Sequence, residues 1–172
     1  DALPAGCAAL QKAVLYEARS RGMTLSCAES CTGGLVQGAL TSVPGSSDAF
    51  LGGVVAYSDE AKRKVLGVDP EVLARHGAVS GECARAMAEG VLRLYGASLA
   101  VSVTGIAGPG GGSEEKPTGT VWFAVASREE DQVRSSAFLR NLRGDRNGVR
   151  ERAVACALSA LWRAAKDTKP GG

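Results

Sequence analysis

Thr24-Leu-Ser-Cys-Ala28 leads without a break into Glu29-Ser-Cys-Thr-Gly-Gly34 and then into Leu35-Val-Gln-Gly-Ala-Leu-Thr41. A short apolar run of strand length, a loop closed by two glycines and a helical pattern in that order form the first half of an α/β unit. The same grammar recurs along the chain. Gly53–Tyr57 reads as a second strand, with Ser58 or Asp59 placed to cap a helix running to Leu66. Ala97–Val103 is a third apolar run, ending in Thr104-Gly105. Strands alternating with helices predict a single α/β domain built on a mainly parallel sheet with helices on both faces.

The flanking segments fill in that frame. Gly6–Arg21 carries apolar residues at helical spacing and stops at Gly22; Pro44-Gly-Ser-Ser47 is a turn, with a helix expected near Asp48. Asp69-Pro70-Glu71 starts another helix with proline at its first position, and Ser80 opens one that runs to Leu94. Ile106–Thr118 is a long loop dense in glycine and proline. Gly119–Ala126 and Gln132–Phe138 predict a hairpin across Glu129–Asp131, giving the sheet an antiparallel edge, and Arg146–Ala165 is helical by pattern. Lys169 opens a tail expected to be frayed.

Composition excludes several functions. Twenty basic against eighteen acidic residues give a net charge of +2, too weak a bias for a nucleic-acid surface. No apolar run reaches the roughly 18 residues of a membrane span, and the first residues lack a signal pattern, so a cytoplasmic protein is expected. Five scattered cysteines do not suit a disulfide framework. Cys27 and Cys31 have the spacing of a weak metal pair but no companions, which favours buried thiols and no metal. The lone histidine, His76, precedes Gly77 at an expected helix end, a setting for packing rather than for a catalytic triad.

In open α/β sheets ligands bind beyond the carboxyl ends of the strands, and here Glu29–Gly34, Ser58–Lys62 and Thr104–Thr118 leave such ends. If the strands are parallel neighbours, the three loops share one crevice. Ser30 and Thr32 stand before a glycine pair at a helix start, where backbone amides favour an anion; the two side chains serve either chemistry or merely capping. Tyr57 sits at a strand end, with Lys62 about one helical turn later. Lys62 is a base if burial lowers its pKa, and otherwise an ordinary surface lysine. Thr104–Gly112 holds five glycines and matches neither the P-loop nor the dinucleotide fingerprint; it is a binding loop or a mobile one. Arg146, just before the last helix, is placed to offer a guanidinium to a phosphate or carboxylate.

These motifs, in this order, resemble the C-terminal domain of the CinA (competence/damage-inducible) family, which includes stand-alone nicotinamide mononucleotide deamidases. The resemblance is carried by AESCTGG (28–34), SVPGSS (42–47), GGVVAYSDEAK (52–62) and HGAVS (76–80). VTGIAGPGGGSEEKPTGTVWFA (103–124) and GDR (144–146) extend it over nearly the whole chain. The family's N-terminal molybdopterin-binding-like module has no counterpart here, so the chain is either a stand-alone enzyme or one domain of a longer protein. The resemblance implies hydrolysis of the carboxamide of nicotinamide mononucleotide to nicotinate mononucleotide and ammonia, in pyridine nucleotide recycling, with neither metal nor cofactor. It implies Ser30 as nucleophile with Tyr57 and Lys62 as relay and base. Thr32, Gly33, Ser47, Thr104, Gly105 and Arg146 become substrate contacts. Ser46 and Ser47, also at an expected helix start, remain alternatives to Ser30 as nucleophile. Asp59 stands where many relatives carry asparagine. The expected partners are a small nucleotide and other copies of the chain. The competing expectation is a nucleotide-sensing module, tied to competence or the damage response, that does not turn its ligand over. Phosphoryl transfer is disfavoured because the glycine loop lacks the lysine-then-hydroxyl ending and no acidic pair stands out for magnesium.

Overall fold

A computed structural model describes residues 9–168. The elements in chain order are α1 (Leu10–Ser20), β1 (Leu25–Glu29), α2 (Leu35–Thr41), β2 (Phe50–Val55), α3 (Asp59–Leu66), α4 (Pro70–His76) and α5 (Gly81–Tyr95). They continue with β3 (Leu99–Gly105), β4 (Thr120–Glu129), β5 (Gln132–Asn141) and α6 (Arg146–Asp167). The five strands form one sheet in the order β2-β1-β3-β4-β5. β1 pairs in parallel with β2 and β3, while β3–β4 and β4–β5 are antiparallel. The parallel set is therefore β2-β1-β3, and the hairpin closes the far edge as expected. The expected tail from Lys169 lies outside the described residues, as do the first three residues of the helix expected from Gly6.

Every residue of β1 is buried, as a central strand covered on both faces requires. Leu25 and Cys27 turn to one side and pack with α1, α2 and α6. Ala28 turns to the other and packs with Leu66 of α3 and the apolar stripe of α5, including Met87, Val91 and Leu92. The helices expected on both faces are thus two apolar layers separated by one sheet. Because β1 connects onward to β2 on one side while β3 lies on the other, the sheet reverses its winding at the carboxyl ends of β1 and β3. That switch point is where an open α/β sheet leaves a crevice.

Two local expectations were displaced. The helix expected near Asp48 is a single 3-10 turn, Ser46–Asp48, after which β2 starts at Phe50 rather than at Gly53. Gly52 and Gly53 lie inside the strand, where side chains do not fit. A Cβ on Gly52 would meet the Tyr95 ring at 2.6 Å, and one on Gly53 would meet the Cys27 carbonyl at 2.6 Å. In the hairpin, Glu130 adopts a left-handed φ of 55°, which lets β4 turn back within two residues.

Capping proceeds as the pattern predicts for three helices. Ser58 accepts from the Ala61 amide, Asp69 from that of Glu71 and Ser80 from that of Cys83. Close packing of α3 on α5 depends on Gly90, where a Cβ would collide with the Leu66 carbonyl. Gly38 in α2 has nothing within 4 Å of its Cβ position. Although alanine is the better helix former at both sites, Gly90→Ala is expected to lose about 1–3 kcal/mol through overpacking. Gly38→Ala is expected to gain about 0.5–1 kcal/mol. Urea unfolding midpoints of the two variants would check the opposite signs.

Candidate active site

The loop after β1 is held by the acid that ends the strand. Glu29 is fully buried, and its carboxylate accepts from the amides of Val36 at 2.8 Å and Gln37 at 3.1 Å. The N-terminus of α2 is thereby capped from seven and eight residues upstream, while Gly34, in a left-handed conformation, supplies no side chain. Neither Ser30 nor Thr32 caps α2. The purely structural role open to Ser30 in the sequence is already filled, and its hydroxyl is left for another partner.

That partner is Lys62. The Ser30 amide donates to the Val103 carbonyl at 2.9 Å, joining the loop to the end of β3. From α3, Lys62 Nζ donates to Ser30 Oγ at 3.0 Å and to the Tyr57 carbonyl at 3.1 Å. Lys62 is 1% exposed, so the surface role open to a lysine in the sequence does not apply. Burial pushes its pKa below the usual 10.5, against the opposing pull of Cys83, Asp59, Cys31 and Tyr57. The thiols of Cys31 and Cys83 are themselves pushed up to about 11, chiefly by burial, and are poor nucleophiles beside the serine.

A cavity of about 180 Å³ opens over this pair, lined by Ser30, Cys31, Tyr57, Asp59, Lys62 and Thr104, with Gly105, Ala107, Arg146 and the Ala78-Val79 segment. The three sequence loops do converge on one crevice. The Arg146 guanidinium crosses its mouth, donating to the Gly108 carbonyl at 2.7 Å and to the Tyr57 hydroxyl at 3.2 Å. Tyr57 reaches Lys62 only through its carbonyl; its phenol, 62% exposed, faces Arg146 and not the amine. Thr104 Oγ1 donates to the Ala78 carbonyl at 2.8 Å, which ties the end of β3 to the α4–α5 connection. A Cβ at Gly105 would press on Val121 and Thr120 of β4, so this glycine is required by packing as well as by the pocket. Lys116 donates to the His76 carbonyl at 2.7 Å and pins the glycine loop to the end of α4, which closes at Gly77 as expected.

Thr32 and Gly33 lie in the turn beside the cavity, not on its wall, and Thr32 is fully buried. Ser47 is not brought to the crevice. It sits in the 3-10 turn that precedes β2, at the amino end of the parallel strands, whereas Ser30 follows their carboxyl end. The same placement separates Ser46 from Lys62. Sequence reading passed over Glu29, the Ala78-Val79 wall and Arg150. The last, reaching from α6, donates from Nε to the Cys31 carbonyl at 3.1 Å and from a terminal nitrogen to that of Thr32 at 3.4 Å. The signal for Ala78-Val79 lies in the HGAVS motif (76–80).

Comparison with known proteins identifies the family. The family model described as the CinA C-terminal domain matches residues 7–165. The chain is 52% identical over 145 residues to nicotinamide-nucleotide amidohydrolase PncC of Escherichia coli, covering 84% of this chain and 86% of that one. It is 45% identical over 152 residues to a CinA-like protein of Thermotoga maritima, covering 88% of this chain but 36% of that one. The chain thus spans about a third of the length of the CinA-like relatives it matches. The crystal structure of competence damage-inducible protein A (ComA) from Klebsiella pneumoniae superposes with a TM-score of 0.86 at 41% identity, covering 93% of this chain and 97% of that one. With the family model matched along nearly its whole length and a relative 52% identical over most of both chains, the chain belongs to the CinA C-terminal domain family.

Proposed function

We propose that the chain is a nicotinamide-nucleotide amidohydrolase that converts nicotinamide mononucleotide to nicotinate mononucleotide and ammonia, in pyridine nucleotide recycling. The observation that carries this reading is a buried lysine amine 3.0 Å from a serine hydroxyl at the switch point of the sheet. The name of the E. coli relative, a nicotinamide-nucleotide amidohydrolase, supports the choice of amide.

In its neutral form the Lys62 amine accepts the Ser30 proton across the same short contact. Ser30 Oγ then attacks the carboxamide carbon, and the carbonyl oxygen becomes an oxyanion. The Cys31 amide, which meets no protein acceptor among the described residues and belongs to a residue of the cavity lining, is the donor available to it. Collapse breaks the C–N bond, and the proton held on Lys62 goes to the departing nitrogen, releasing ammonia and leaving an acyl ester on Ser30. Water attacks that ester with Lys62 again taking the proton, giving the carboxylate and restoring the serine. The relay assigned to the Tyr57 phenol is not needed in this scheme. Its carbonyl orients the lysine, and its phenol with Arg146 meets the nucleotide at the mouth. Arg146 and the amides of the glycine loop are the groups suited to the phosphate.

Ammonia release from nicotinamide mononucleotide is expected from metal-free protein and is expected to fall at least ~100-fold in both Ser30→Ala and Lys62→Ala. Tight nucleotide binding without turnover in the parent would instead favour the sensing module. The reactive lysine is the deprotonated one, so kcat/KM should rise with pH along a limb whose midpoint lies below 10.5. Asp59→Asn removes a negative charge that holds the proton on Lys62, and is expected to move that limb to lower pH. A limb unmoved, or moved to higher pH, would contradict Lys62 as the base.

Because the folded chain disfavours protonated Lys62, it binds fewer protons than the unfolded chain between the lowered pKa and 10.5. Stability contributed by this group therefore rises with pH across that interval. Lys62→Met, while inactive, is expected to be most favourable for Tm relative to the parent near neutral pH. Its advantage should shrink as pH rises toward 10.5, as thermal melts across the range would show.

A further inference from the structure

We infer that Asp59 determines specificity: its carboxylate faces the charged ring of the substrate and selects an N-substituted pyridinium amide over a neutral aromatic amide. The inference rests on the amidohydrolase reading above. Asp59 opens α3 and precedes Lys62 by three positions, so the two side chains share one side of the helix. Both line the cavity that holds Ser30. The Asp59 charge helps to hold the proton on the Lys62 amine, which places the carboxylate within electrostatic reach of the group that touches Ser30. Neighbouring acids are paired, Glu60 with Lys64 at 2.6 Å and Glu71 with Arg75 at 2.7 Å. Asp59 has no such partner among the described residues.

The cavity wall carries two bases, Lys62 and Arg146, and Asp59 is its one acid. In nicotinamide mononucleotide the ring nitrogen bears the ribose and with it a permanent positive charge, whereas the ring of free nicotinamide is neutral. Only two ring atoms separate that nitrogen from the carboxamide carbon. With the carboxamide at Ser30, a cavity of about 180 Å³ keeps the ring charge close to its wall. Neither base attracts that charge; Asp59 does. Arg146 stands at the mouth for the phosphate, at the other end of the ligand. Two opposite charges on the nucleotide thus meet two opposite charges on the wall. The product ring, carrying its new carboxylate, has no net charge, so the same acid favours substrate over product. An acid in the first turn also stabilises the helix dipole, and Asp59 does so whatever the ligand. Dependence on the ring charge separates the two roles.

The test measures binding by calorimetry in a Ser30→Ala background, with and without Asp59→Asn, beside ammonia release by the parent. The probes are nicotinamide mononucleotide and its neutral carbon isostere, 3-carbamoylphenyl C-riboside 5′-phosphate, which keeps amide, ribose and phosphate but lacks the ring charge. Asp59 is exposed and asparagine matches its shape, so the variant is expected to fold. It should bind the nucleotide about 10-fold more weakly and the isostere within about 2-fold of the background. Asp59→Asn also favours neutral Lys62, which by itself would tighten binding of a cation, so the loss does not come from that route. Glu60→Gln removes the same charge one position along, from a residue paired to Lys64, and should move neither affinity beyond about 2-fold. Unchanged nucleotide affinity in Asp59→Asn would overturn the assignment. So would an equal loss for both probes, which a helix-dipole role predicts, or a matching loss in Glu60→Gln. A parent that binds the nucleotide without releasing ammonia would sink the amidohydrolase reading alone, leaving Asp59 to be judged on binding. A chain that binds neither probe and releases no ammonia would overturn both.

Discussion

The site depends on one buried carboxylate. Glu29 ends the central strand and accepts the two free amides at the start of α2, so strand and helix are fixed relative to each other at the point where the chain must turn. Hydrogen bonds to a charged group contribute about 1.5–3 kcal/mol each, and the positive end of a helix favours the anion further. Removing that carboxylate from water offsets much of this gain. What the arrangement secures is specificity of geometry. A seven-residue helix is marginal alone and needs its first turn satisfied from somewhere. Had the Ser30 hydroxyl met that need, it would have been withdrawn from the crevice. Capping from the strand leaves it to Lys62.

The second constraint is the burial of Lys62. An ammonium that is 1% exposed carries a desolvation cost, and among the described residues only a hydroxyl and a carbonyl, no carboxylate, stand at hydrogen-bond distance from it. That is unfavourable for stability and useful for chemistry, because the cost falls on the protonated form alone. Glu29 and Lys62 thus illustrate opposite treatments of buried charge at one strand end. The acid is fully hydrogen-bonded to a helix terminus, whereas the base is left short of an anion. A residue that weakens the fold and sits against a buried serine hydroxyl is the kind of local conflict expected at a functional site.

The fold was legible wherever the determining pattern is local. Strand β1, helix α2, the Ser58, Asp69 and Ser80 caps and the β4–β5 hairpin all follow from spacing and turn chemistry within a few residues. The crevice was legible too, because three loops leaving strand ends converge once the strands are parallel neighbours. The misread portions depend on contacts from far along the chain. The local pattern starts β2 at Gly53 rather than Phe50, because what packs over Gly52 is Tyr95, far along the chain. Glu29 reads as a loop residue because a cap reaching seven and eight positions ahead matches no local capping pattern. Arg150 lies 119 positions from the carbonyl it holds, and no spacing rule links the two. Ser47 is the converse case: a motif shared with the family that this chain's own fold places at the other end of the strands from Ser30.

Helix α6 ties the distant pieces together. Asp145 accepts from the Gly148 amide at 2.8 Å and so sets where the helix begins. Once the start is set, the helical repeat places Arg146 and Arg150, four positions apart, along one side of the first turns. The first bridges Tyr57 and the glycine loop at the mouth, while the second grips the loop that follows β1. Shifting the helix start by one residue would rotate both guanidiniums by about 100° and lose both contacts at once. The short GDR motif therefore acts mainly through its aspartate, which fixes the phase of a helix, and the two arginines act at the site only because that phase is fixed.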